Sequence, residues 1–518
     1  MPSDNRRTFL KTIGVTAGAM SLTGTGVVLA QQDDNDSDDD EGEQKSTGWT
    51  TYRGNVGRTG ATAVSGPTPR ATTDWSIDLD GKVEYVEPVV VDGTVFLAVR
   101  TSGYEESEGY VVAYDANTGE QKWRRDDLSR PDNPTVVDST VYVGTDGYND
   151  KGENASYALD AETGETKWKL AKPQYGTPVV VDRRVYTGAE SAHDAETGDV
   201  IWDKPGLSTD VFYGNETLYY DSGTARNPED GSAYWTDTLH NKEEFAVEGG
   251  LVYATYWDSE DNSDILARSG DDRSQVWTHE TKRGGSTFDS ITVGDGSVYY
   301  TEYEEGYILR ALDSKTGEVQ WEHELDVNIT SPPTLADGIV YLGGQVPSED
   351  DMGEALVIAV DANTAEHKWT YTFGGDDFDG YGSAAGAPVV VDGRVYVATH
   401  PTDGDWEQKD PFDGTLHVLE YSDEEDGSDG QAPEACIEAT PNLDDLDAGD
   451  TVTLETCSTC YTDEGPKHEW DTDGDGEYNE TGHSVTVTVP DCESLEVTLR
   501  ITDSGGDTDT ETVVISRN

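Results

Sequence analysis

The stretch YDANTGEQKW at 114–123 is written again as LDAETGETKW (159–168), HDAETGDVIW (193–202), LDSKTGEVQW (312–321) and VDANTAEHKW (360–369). Each copy opens on Asp, turns at Thr-Gly (Thr-Ala in the last) and reaches Trp eight residues after the Asp. Two degenerate copies, NPEDGSAYW (227–235) and SGDDRSQVW (269–277), keep that eight-residue step. Aligned on the indoles, the chain places Trp75, Trp123, Trp168, Trp202, Trp235, Trp277, Trp321 and Trp369 at intervals of 48, 45, 34, 33, 42, 44 and 48 residues. A second phrase recurs between them: PVVVDGTVFLAV (88–99), PTVVDSTVYVGT (134–145), PVVVDRRVYTGA (178–189), ITVGDGSVYYTE (291–302), PTLADGIVYLGG (333–344) and PVVVDGRVYVAT (388–399). Two β-branched runs around an Asp-Gly or similar pair signal a hairpin, because the primed turns need positive φ at both central residues.

Each interval therefore reads as strand, hairpin, strand, variable loop, strand, Thr-Gly turn, and a last strand carrying Trp. No helical periodicity of useful length interrupts this pattern. Repeats of about 40–45 residues with four short strands are the mark of β-propeller blades. The Trp register gives eight blades, with seven as the fallback, ending near GTLHVLEY (414–421). The short intervals still hold four strands with tight turns. Gly119, Gly164, Gly198, Gly231 and Gly317 supply the left-handed turn residue. The opening Asp caps the turn amides, and the Trp, too large to leave in water, anchors neighbouring blades.

Together these features resemble the tryptophan-docking repeats of pyrroloquinoline-quinone-like (PQQ-like) propellers, a family that includes quinoprotein alcohol dehydrogenases and BamB-like assembly propellers. The lead-in WTTYRGNVGRTG (49–60) resembles that family's opening segment, and the likeness spans roughly residues 49–421. The resemblance implies two possible uses. Its enzymes hold PQQ on the ring axis with calcium and a catalytic Asp, and the alcohol-oxidising branch adds a disulfide between adjacent cysteines. Residues 49–421 contain no cysteine, and no phrase carries over as calcium ligands or base. The expectation is no cofactor and no catalytic residue, with PQQ and calcium as the alternative. HExxH, Gly-x-Ser-x-Gly, Walker and Rossmann patterns are missing, and carboxylate pairs for glycoside chemistry are too common to single out. The acidic, aromatic inserts RTSGYEESEGY (100–110), GGDDFDGYG (374–382) and HPTDGDWEQKDPFDG (400–414) are ligand-contact candidates or solvated loops.

The chain has 518 residues, 106 Asp and Glu against 34 Lys and Arg, and a net charge of −72. Such a surface excludes nucleic acid, which needs a basic face, and disfavours an anionic membrane. The composition resembles that of proteins from salt-loving archaea, with an ordinary acidic secreted protein as the alternative. Residues 1–30, with Arg6 and Arg7 ahead of a weakly apolar Gly/Ala/Thr-rich stretch, match a twin-arginine export signal cleaved after Ala30. Residues 31–48 form an acidic tether. The expected product is soluble, secreted or held at the cell surface, without direct membrane insertion.

An acidic linker at 422–431 leads to a module at 432–518 whose alternating strands suggest an immunoglobulin-like sandwich. EWDTDGDGEYNETG, with the LEVTLRITD strand after it, resembles the signature of polycystic-kidney-disease (PKD) type domains. Cys436, Cys457, Cys460 and Cys492 all lie here and suggest two disulfides of unspecified pairing. A zinc site through Cys457 and Cys460 would lack a second close pair. Asp471, Asp473 and Asp475 begin like a calcium loop but reach Gly482 at the twelfth position, so a tight turn competes with calcium. Asn35, Asn154, Asn215, Asn328 and Asn479 open glycosylation sequons. The expected fold is all-β, an eight-bladed propeller followed by a PKD-type sandwich. The expected function is a non-enzymatic scaffold contacting protein or glycan at the envelope. A PQQ-dependent oxidoreductase is the alternative, and a polysaccharide-binding or degrading protein the weaker one.

Overall fold

The computed structural model describes residues 48–516 except 82–86, 102–107, 146–152, 172–175, 205, 207, 209, 237–241, 258–262, 282–290, 305, 348–352, 374–381, 402–413, 423–434, 441–445, 447–448, 450, 457–466, 475–477, 479, 483, 491–493 and 503–507. The export signal with Arg6 and Arg7, most of the tether, the 422–431 linker apart from Ser422, and the bulk of the three acidic inserts lie outside the described residues. So do Cys457, Cys460, Cys492, Asp475, Asn35 and Asn479.

Among the described residues every regular element is a strand. Eight antiparallel sheets follow one another between residues 48 and 421. Their innermost strands are Val89–Val91, Thr135–Val137, Val179–Val181, Val211–Gly214, Lys242–Glu248, Thr292–Gly294, Thr334–Ala336 and Val389–Val391. Each touches the next in that order, and Val389–Val391 touches Gly48–Trp49, which pairs with Val89–Val91. The sheets thus close a ring. Within each sheet the first turn is a hairpin with two left-handed residues: Asp92 and Gly93 in sheet one, Asp182 and Arg183 in sheet three, Asp392 and Gly393 in sheet eight. Two hairpins have no Asp in the turn pair, at Asn215-Glu216 and Gly249-Gly250. Because strands alternate in direction, hairpin turns and Thr-Gly turns share one face of the ring, and the variable loops share the other.

The eighth sheet is shared between distant parts of the chain. Its outer strand is Ala71–Asp78, paired with Thr415–Tyr421. Trp75 therefore completes the last sheet, and ring closure depends on non-covalent pairing of early and late strands. Sheets three and four, the short intervals, use strands of only three or four residues.

Residues 435–516 form two further sheets, one ordered Ile437–Thr440, Thr451–Thr456, Ser484–Thr488 and the other Glu480–Thr481, Lys467–Asp471, Leu495–Thr502, Thr508–Ile515. Val452, Leu454, Val485 and Val487 from the first meet Trp470, Val497, Leu499 and Ile501 from the second in one core, so the two sheets form a sandwich. Cys436 is disulfide-bonded. The Trp470 indole is fully buried and donates to the Gly482 carbonyl at 2.8 Å.

Candidate functional site

The repeated phrase builds the outer wall. Each Trp sits on the outer strand of one sheet and lies against the turn of the next. A Cβ on Gly164 would stand 2.7 Å from the Trp123 ring, and one on Gly317 2.6 Å from Trp277, so these turns come close because they lack a side chain. Six indoles donate to a turn carbonyl of the following sheet, from Trp123 to Ala161 at 2.8 Å out to Trp75 to Ala116 at 3.3 Å. In the eighth sheet no Thr-Gly turn exists, and Trp369 donates instead to Pro67, from the segment leading into Ala71–Asp78. Tyr142, Tyr186 and Tyr253 donate to the same carbonyls as the indoles of their own sheets. Burial pushes the Tyr142 and Tyr253 hydroxyls up to about 12, which keeps them protonated as donors.

Trp235 is the exception. Its Nε1 finds no acceptor among the described residues, and Arg273 stands over its ring at 5.9 Å. It faces a degenerate copy, where Arg273 occupies the left-handed turn position that Gly fills elsewhere. Ala365 likewise adopts φ 60 in the last copy. The Asp of each regular copy accepts turn amides, as Asp194 does from Glu196 at 3.1 Å and Thr197 at 2.9 Å. The indoles thus rest on the glycine turns and the Asp carboxylates cap them, so the phrase builds the wall between sheets.

The axis is built from WTTYRGNVGRTG. Within fifteen residues this segment hydrogen-bonds to seven of the eight sheets and touches the eighth, which only a path across the inside of the ring allows. Gly48 and Trp49 pair with sheet one. The carbonyls of Thr50, Val56, Gly57, Thr59 and Gly60 accept the amides of Val136, Tyr213, Val247, Val293 and Leu335, at 2.8 to 2.9 Å. Ala61–Thr62 then runs parallel to Leu335–Ala336. Inner strands otherwise present unpaired edges to the channel, and the segment satisfies them.

Two arginines lock this hub. Arg53, 1% exposed, donates from Nη1 to Glu87 (3.3 Å) and from Nη2 to Thr292 Oγ1 (2.6 Å) and the Pro333 carbonyl (2.5 Å). Glu87 also accepts the Arg53 amide at 2.8 Å and the Trp49 indole at 3.3 Å. Arg58 donates to Thr51 Oγ1, the Tyr52 carbonyl and the Thr177 carbonyl of sheet three. Both hold positive φ, 54 and 56, a strained state for non-Gly residues that the surrounding contacts enforce. Gly60 is required here, since a Cβ would stand 2.1 Å from Arg53 Nη2.

An axial quinone and calcium would need free cations and free carboxylates at this place. The Arg53 Nη groups, the Arg58 Nη groups and both Glu87 oxygens are already engaged, so the hub residues do not fit them. Arg53, Arg58 and Glu87 escaped the sequence reading as site residues. The quoted lead-in held both arginines, but their partners lie up to 280 positions away.

On the hairpin face the hub floors an open cup of about 480 Å³, lined by Val56, Ala61, Tyr213, Glu248, Asp295 and Asp337 among others. In the sandwich, Asp471 is buried and accepts the amides of Asp473 (3.3 Å) and Gly474 (2.8 Å), the geometry of a tight turn. Among the described residues no group of three or more His, Cys, Asp or Glu is placed to hold a metal ion.

With this geometry in place, the comparison with known families is direct. The family model described as outer membrane protein assembly factor BamB matches residues 56–189, 107–211 and 261–423, more than half of the chain. The chain belongs to the BamB family. Residues of this BamB-family chain are 30% identical over 132 positions to the outer membrane protein assembly factor BamB of Burkholderia pseudomallei (strain K96243), covering 19% of this chain and 34% of that protein. The chain thus spans about a third of the length of that curated relative. Among solved structures, a europium-containing methanol dehydrogenase aligns with a TM-score of 0.52 and 15% identity over 72% of this chain and 98% of its own. The quinohemoprotein alcohol dehydrogenase from Comamonas testosteroni aligns at 0.51 and 16% over 77% and 83%. At such identities the likeness is one of fold, an all-β PQQ-type propeller.

Proposed function

We propose that this chain is an exported, non-enzymatic binding and assembly scaffold at the cell surface. In this reading the eight sheets of 49–421 are eight propeller blades, 432–518 is a PKD-like module, and the twin-arginine signal at 1–30 directs export. One observation carries the reading: the ring axis is filled by the chain's own residues 49–62, with Arg53 and Arg58 bonded to the surrounding sheets. Membership of a family described as an assembly factor supports protein contacts at the envelope, and the net charge of −72 supports a salt-rich exterior. The ring's variable-loop face is the surface offered to a protein or glycan.

The second reading, a PQQ-dependent oxidoreductase, is favoured by the likeness of fold to two alcohol dehydrogenases. One experiment separates the two. The purified full chain, in molar salt with PQQ and either calcium or a lanthanide, is assayed for bound quinone and dye-linked oxidation of alcohols and sugars. The expected result is neither, together with recovery of a defined envelope protein or glycan by in-cell crosslinking. Stoichiometric quinone with turnover would reject the scaffold.

A further inference from the structure

The sandwich at 435–516 leaves one edge open. In its first sheet Ser484–Thr488 pairs with Thr451–Thr456 on one side only and ends the sheet. The backbone groups on its other side meet no partner among the described residues. Beside it the two sheets part in a trough of about 500 Å³, lined by Thr472, Glu480, Ser484, Thr486, Thr488 and Leu495 among others. A free edge is a template for another strand, and proteins guard such edges with charged side chains or Pro. Ser-Val-Thr-Val-Thr contains neither. The other sandwich edges are guarded. The Ile437 amide donates to Glu511 at 2.5 Å, Thr508–Ile515 contains Asp509 and Glu511, and Glu480–Thr481 is only two residues long. The outer strands of the ring each contain an Asp, Glu, Lys or Arg, except Ala233–Thr236, whose Thr236 carbonyl accepts Arg273 at 3.0 Å.

The missing charge says what can pair there. Two copies of a chain carrying −72 repel each other, but in molar salt the Debye length is about 3 Å and only charges in contact still count. An edge without acids is where a second copy can approach. We infer that Ser484–Thr488 pairs antiparallel with the same strand of a second copy, joining two three-stranded sheets into one of six. The register follows from the pleat. Val485 and Val487 face the core while Ser484, Thr486 and Thr488 are exposed, and opposed residues must share a face. A two-fold axis through Thr486 meets that condition with the longest overlap: Thr486 faces its own copy, and Ser484 faces Thr488 of the second chain. The row Thr440, Thr453, Thr486 then continues across the axis as threonine pairs, which suit neighbouring strands. A contact of one patch with itself closes at two copies. The inference goes beyond the scaffold reading and stands without it.

The test is sedimentation equilibrium of the full chain in about 1 M salt. A five-residue strand pair is a small interface, so a monomer–dimer equilibrium is expected between about 1 and 100 μM. Thr486→Lys and Thr486→Glu each set like charges face to face across the axis and should weaken the dimer about tenfold or more. Thr486 is exposed, so both variants should keep the parent's near-ultraviolet dichroism. Mixed in equal amounts, the two variants should dimerise again, because opposite charges then meet across the axis. Thr512→Lys, exposed on the other sheet, should dimerise as the parent does. A parent that stays monomeric up to about 100 μM, whether this edge is taken by a different envelope protein or by nothing, overturns the inference. So does a dimer that Thr486→Lys and Thr486→Glu leave intact, or a loss that mixing them does not restore. The scaffold reading is decided separately, by quinone binding and envelope partners.

Discussion

The rim and the axis of this ring are held by opposite strategies. At the rim a modest device is repeated: an indole on a neighbour's turn, one hydrogen bond, one capping Asp. Burying each Trp is worth about 2–3 kcal/mol, and weakening one copy leaves the others in place. The Trp235 copy shows this tolerance, since its indole proton has no acceptor among the described residues and the sheet order is unchanged. At the axis nothing is repeated. A single segment bonds to seven sheets, and one guanidinium, that of Arg53, reaches Glu87 ahead of sheet one, Thr292 in sheet six and Pro333 ahead of sheet seven. Redundancy makes the rim robust, whereas concentration makes the axis fragile.

Salt removal should give the largest effect and should fall on the exposed charges first. In dilute buffer the Debye length grows from about 3 Å at 1 M to about 30 Å at 0.01 M, and a net charge of −72 then repels itself across the whole ring. Thermal unfolding should begin far lower at 0.01 M salt than at 1 M, and an unchanged Tm would contradict this. Arg53→Ala comes next. It leaves the Glu87 carboxylate buried without its cation, at a cost of about 3–5 kcal/mol measured by denaturant titration in molar salt. Gly60→Ala attacks the same point from the opposite side, through positive φ and the approach to Arg53, and should cost about 1–3 kcal/mol. If either costs less than the loss of one rim hydrogen bond, the axis is not the fragile part. At the rim, Trp277→Phe removes a 2.9 Å bond to the Ser314 carbonyl, which keeps its Tyr253 donor, and should cost about 1 kcal/mol. Trp235→Phe removes an unpaired N–H and should be neutral or slightly stabilising.

What the sequence disclosed divides along the same line. The rim was legible because repetition averages away noise: four Asp-x-x-Thr-Gly phrases, one Asp-x-x-Thr-Ala phrase and six hairpins disclosed strand order, turn chemistry and the ring. The hairpins at Asn215-Glu216 and Gly249-Gly250 were missed because their turn pairs lack the Asp that marks the other six while adopting the same positive φ. Trp75 was legible as a repeat unit, but its place in the last sheet was not, since pairing between Ala71 and Tyr421 spans almost the whole ring. The axial hub was written in plain view at 49–60. Its meaning depends on partners such as Thr292 and Pro333, set by closure and not by local pattern. The cup acids were hidden for a different reason. Glu248, Asp295 and Asp337 are three among 106 acidic residues, and only the ring brings them to one mouth.

The smallest effect expected is also the most specific test of the rim. Amides of the turn hold several phrase carboxylates below the ordinary range: that of Asn117 for Asp115, that of Thr197 for Asp194 and that of Lys315 for Asp313. A folded-state pKa below the unfolded one contributes stability that is complete above the ordinary carboxylate range and is lost as pH falls through the folded value. The parent protein in molar salt should therefore lose stability steeply below about pH 4. Asn keeps the capping oxygen without the titration, and the chain already uses it: Asn227 accepts the Glu229 amide at 2.8 Å in the fourth sheet. The variant D115N/D194N/D313N should fold, lose a little stability at neutral pH, and show a shallower fall of Tm between about pH 4 and pH 2.5. A slope as steep as the parent's would mean that acid acts elsewhere, and that the repeated Asp serves the turn by shape alone.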